Sequence, residues 1–154
     1  MYVFTDVSSC ALAYYFLSLK LAYHAHLPIN PPSDTIFWFK ALTACSAIHH
    51  AADVWASNFS PKLDCLCINT NNMNTVNMFN TLHVLPPYNN ILILSIDAQT
   101  CFGLDVHTYH IPGNINVIAD AISRNNFALA HRHVPGLSIL SFTPPRDALG
   151  AAAQ

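Results

Sequence analysis

Three strand-like stretches fill the first 27 residues, and the connections between them are too short to hold a helix. "MYVFTD" reads as a strand ending on Asp6. "ALAYYFLSL" and "KLAYHAHL" follow, both rich in the aromatic and aliphatic residues that suit a pleated surface. Strands joined this tightly pair antiparallel, so the chain opens as a meander. The pattern then changes. Pro28, Pro31 and Pro32 break regular pairing, and a helix is predicted over about 35–55, with Phe37, Ala41, Ala44 and Ile48 on one face.

Later segments alternate between the two periods. "LDCLCINT" reads as a short buried strand, and "NNMNTVNMFNTL" as a helix started by an asparagine cap. "NNILILSIDAQTCFGL" reads as a helix, although "ILILSI" alone also suits a strand. "LDVHTYHI" alternates as a strand does, Pro112-Gly113 turns the chain, and a last helix starts near Asn114 to Asn116. The order is β-β-β-α-β-α-α-β-α. It predicts an α/β fold: a mixed five-stranded sheet, three antiparallel plus two parallel strands, with flanking helices. Residues 125–154 lack a period and carry Pro135, Pro144 and Pro145, so an irregular C-terminal tail or linker is expected after a domain spanning 1–124. The first strand begins at residue 2, which leads us to expect a fragment of a longer chain.

Composition narrows the partners. Only 9% of residues are charged while 53% are hydrophobic, so apolar surface is expected to face a partner protein or a missing neighbouring domain. Net charge is −2 and no basic stripe is visible, which argues against tight autonomous nucleic-acid binding. The apolar runs are too short to span a bilayer, and no signal peptide is apparent, so no membrane is expected. Cys65 and Cys67 alternate and share a strand face. The five cysteines read as small buried hydrophobes of an intracellular protein, cytoplasmic or nuclear. His24/His26 and His107/His110 complete no four-ligand zinc set. There is no glutamate: the eight acids are all aspartates.

Two motifs carry a resemblance. "VFTDVSS" resembles the first-strand motif of the ribonuclease H domains of retrotransposon reverse transcriptases, with Asp6 at the catalytic position. "HIPGNINVIADAISR" resembles the retroelement pattern H-x-P-G-x-x-N-x-x-A-D-x-x-S-R, with Asp120 at its catalytic aspartate. "INTNNMNTV" is similar to the "TDN" segment after the fourth strand, and "IFWFKALTA" to the first-helix motif. The resemblance covers about residues 2–124. It implies a ribonuclease H-like fold, an RNA–DNA hybrid as substrate, and two Mg²⁺ ions roughly 4 Å apart held by four carboxylates. His110 is a candidate for the mobile histidine that assists product release in some members.

The chain departs from that pattern where the metals would sit. The resemblance places Lys40 at the glutamate position of the first helix and Asn71 at the aspartate position after the fourth strand. Asp6 and Asp120 remain as metal ligands, so the site's charge is about −1 where the family's is −4. Ser9, Cys10 and Ala11 stand where glycines are expected. The implied product is a degenerate, catalytically inactive domain of a retroelement polyprotein, with Mg²⁺ and hybrid binding weak or lost. A weakly active Mg²⁺-dependent ribonuclease H and a non-catalytic scaffold or connection module are the alternatives.

Overall fold

The computed structural model describes all residues except Pro32, Asp34, 58–64 and 150–154. The strands are β1 (Tyr2–Val7), β2 (Ala11–Phe16), β3 (Leu21–His26), β4 (Leu66–Thr70), β5 (Val106–His110) and β6 (Ser138–Ser141). The α-helices are α1 (Ile36–Ser57), α2 (Met73–Thr81), α3 (Asn89–Phe102), α4 (Val117–Ser123) and α5 (Phe127–His133). All six strands form one sheet in the order β5-β4-β1-β2-β3-β6. The β1-β2-β3 meander is antiparallel, and β4 and β5 add in parallel beyond β1, as the connection lengths require.

The sheet buries both faces. Val3, Val7, Leu12, Tyr14 and Phe16 face α1, where Trp38, Leu42 and Ile48 are fully buried, and α3 closes this layer with Ile91 and Leu92. Each fully buried side chain of this size contributes about 1.5–3 kcal/mol of transfer free energy. On the other face Ala13, Tyr15 and Ala22 meet Ala121 and Ile122 of α4 and Ala130 of α5. Ala119 and Ala121 are small, which lets α4 lie close to the strands. Asn72 caps α2 by accepting from the Thr75 amide, as the sequence suggested.

Residues 125–149, the described part of the expected tail, correct the sequence reading. Asn126 caps α5 by accepting from the Leu129 amide, and β6 pairs in parallel with β3, from Leu21↔Ser138 to His24↔Ser141. The sheet therefore has six strands where five were expected, and the segment extends the sheet instead of trailing from it. Leu137 is buried in the second core cluster, and Phe142 packs on Tyr14 with ring centroids 4.8 Å apart. The prolines that suggested a linker lie outside α5 and β6, at 135, 144 and 145, so they do not oppose the helix or the strand. Among the described residues no helix is long and apolar enough to cross a membrane.

Candidate functional site

The parallel neighbours β1 and β4 both end at one edge of the sheet, the usual place for a site in an open α/β sheet. Asp6 is the penultimate residue of β1, and Asn71 directly follows β4. Lys40 reaches them from α1: its Nζ donates to Asp6 Oδ1 at 2.9 Å and also to Asn71 Oδ1. Asp6 and Lys40 are both buried, with 4% and 8% of their surface exposed. Asp120, in the first turn of α4, comes beside Asp6 and pushes its carboxyl upward. Four residues spread over 115 positions of sequence thus meet at the end of β1.

Each side chain of the "HIPGNINVIADAISR" stretch that bears on Asp120 has a structural job. Asn116 is buried and donates from Nδ2 to the Thr5 carbonyl at 2.9 Å, tying the start of α4 to β1. Its backbone carbonyl accepts the Asp120 amide. Ser123 is fully buried, and its carbonyl accepts from the Ser8 hydroxyl of the β1–β2 turn. Arg124 donates from Nε to Asp120 Oδ1 at 2.8 Å on the solvent side. Gly113 leaves room for Asn71, whose Nδ2 lies 3.4 Å from where a Cβ would stand. Asn116 is a positioning residue that the sequence motif contained without revealing its role.

Burial pushes the Asp6 carboxyl above its ordinary value of 3.8; the Lys40 ammonium pulls it back down, and the neighbouring Asp120 pushes it up again. Desolvation outweighs the ion pair, as it often does for buried charges. His110 is the exposed last residue of β5, paired with Thr70, so it stands at the same end of the sheet one strand further out. His24 and His26 lie elsewhere, on β3, where His24 Nε2 is 2.7 Å from Asn125 Oδ1.

No protein-family model matches the sequence, and no curated protein matches it with significance. Solved structures do match. The ribonuclease H1 of the archaeon Halobacterium salinarum NRC-1 superposes with a TM-score of 0.63 at 14% identity, covering 82% of this chain and 96% of that one. The N-terminal ribonuclease H domain of Mycobacterium tuberculosis Rv2228c, solved as a fusion with maltose-binding protein, gives 0.57 at 8% identity, over 86% and 97%. The chain is an α/β domain of the ribonuclease H-like fold. At these identities the likeness speaks for the fold.

Proposed function

We propose that this chain is a ribonuclease H-like domain of retroelement origin in which a lysine has taken the place of the catalytic metals. The observation that carries the reading is the Lys40 ammonium, hydrogen-bonded at once to Asp6 and Asn71. It satisfies the oxygens that a hard cation would need and brings a positive charge to the same point. The donor set does not fit a pair of Mg²⁺ ions. Asn71 carries no charge, Asp6 is neutralised by Lys40, and Asp120 is shared with Arg124. Two divalent ions would bring +4 to a cluster whose members sum to about −1.

Origin in a retroelement rests on the two sequence motifs, and the fold supports it. An RNA–DNA hybrid is the ancestral substrate in this reading, bound weakly. A scaffold role is favoured by a separate observation. Tyr2, Leu17, Leu19 and Ile115 are each more than two-fifths exposed, and such apolar surface suits contact with a polymerase domain or another protein. The test is hybrid cleavage. The unmodified chain should leave an RNA–DNA hybrid intact in millimolar Mg²⁺. Cleavage by the unmodified chain that Asp6→Asn abolishes would overturn the reading.

A further inference from the structure

We propose that Cys65, Cys67, Asp105 and His107 form a binding site for a borderline-soft divalent cation of the zinc class. The strand register builds it. Cys67 and His107 are direct partners in the parallel β4–β5 ladder, so their side chains leave the same face of the sheet. Alternation adds Cys65 and Asp105, two residues earlier on each chain, to that face. The Leu66 amide donates to the Asp105 carbonyl at 2.7 Å and holds the two strand entrances together. Leu66 itself points the other way into the core.

The donor atoms are already close. One ligand atom each from Cys65, Asp105 and His107 lie within 4.8 Å of one another. Among the described residues no other group of three such ligands comes together in this way. His107 Nε2 is 3.0 Å from Asp105 Oδ2, and Cys67 Sγ is 3.6 Å from Cys65 Sγ. A tetrahedral ion with bonds of about 2.0–2.3 Å needs ligands about 3.3–3.8 Å apart. Rotamer changes of the half-buried cysteines and the exposed Asp105 and His107 close the remaining gap.

The chemistry selects the ion. Two sulfurs, an imidazole and one carboxylate suit zinc, whereas Mg²⁺ prefers all-oxygen sets. Burial and the neighbouring Cys67 raise the Cys65 thiol, so an incoming ion must displace its proton. Binding one ion releases one proton from each thiol and forms two metal–sulfur bonds without any redox change. With two thiolates and one carboxylate around a divalent ion, the bound site carries a net charge of −1. It lies at the opposite end of β4 from Asn71, about 20 Å away along the strand. Its effect is to cross-link the edge strand β5 to β4.

Co²⁺ is the probe. Titrated into the metal-free full chain under a non-chelating reductant, it should give sulfur-to-cobalt charge-transfer absorption and tetrahedral d–d bands saturating at one equivalent. Zn²⁺ should displace it, and excess Mg²⁺ should not. Zn²⁺ should also raise the melting temperature. Cys65→Ser, Cys67→Ser and His107→Ala should each weaken binding by about 10–100-fold or more. Cys10→Ser and Cys101→Ser, at exposed cysteines elsewhere, should leave it unchanged. Absence of the charge-transfer band would overturn the proposal, and so would a band that survives Cys65→Ser combined with His107→Ala in a protein of native circular dichroism.

Discussion

The two ends of strand β4 make opposite use of similar side-chain types. At its C-terminal end, Asp6 and Asn71 hold a lysine that belongs to the chain itself, with Asp120 beside Asp6. At its N-terminal end, Cys65, Cys67, Asp105 and His107 converge with no lysine or arginine side chain among them, and the Met1 ammonium nearby donates to the Cys65 carbonyl. The first cluster is centred on a buried ion pair; the second is open to solvent and rich in donors. A motif marks a place in the fold, and the charges that meet there set which ions suit it.

Removing the internal cation should have the largest effect. Lys40→Met leaves Asp6 buried beside Asp120 without its partner, which typically costs about 3–5 kcal/mol. The pH dependence follows from the sign of the shift. Asp6 is raised in the folded chain, so its protonated form favours folding below 3.8 and that advantage is lost as pH rises through the folded value. Loss of Lys40 raises Asp6 further. The destabilisation should therefore be full at neutral pH and vanish below about pH 4, where Asp6 is protonated in both states. Denaturant unfolding at both pH values checks this. An equal loss at pH 3 and pH 7 would mean that Lys40 acts through packing alone.

Asn116→Ala comes next. It removes the bond to the Thr5 carbonyl and should cost about 1–3 kcal/mol, read as a shift in the urea midpoint at unchanged slope. Asp105→Asn sits at the other extreme. It weakens an exposed pair with His107 and should cost under about 0.5 kcal/mol in metal-free protein. A loss there comparable to that of Lys40→Met would break the contrast between a buried ion pair and an open site.

Much of the architecture was legible because it is local. The three-strand meander, α1, the asparagine cap of α2 and the β5 alternation each follow from residues a few positions apart. The convergence of Asp6, Lys40, Asn71 and Asp120 was legible through the motifs alone, since the first and last lie 114 positions apart. β6 escaped because "SILS" is four residues long and gains its partner, β3, from more than a hundred residues upstream. The second cluster escaped for the same reason. The shared face of Cys65 and Cys67 follows from alternation, but in the sequence His107 pairs most readily with His110. Three positions apart on one strand, those two histidines face opposite sides of the sheet. The ligand partners of His107 come from β4 instead, across the ladder.

Magnesium titration of the unmodified chain beside the Lys40→Glu/Asn71→Asp variant decides whether the lysine stands in for the metals. The variant restores four carboxylates with Asp6 and Asp120. It should bind Mg²⁺ in the millimolar range by calorimetry, and each single change should do much less because ligands of one site act as a unit. The unmodified chain should show no binding heat assignable to Asp6 over the same range. Mg²⁺ binding by the unmodified chain equal to that of the double variant, and lost on Asp6→Asn, would contradict a site closed by its own lysine.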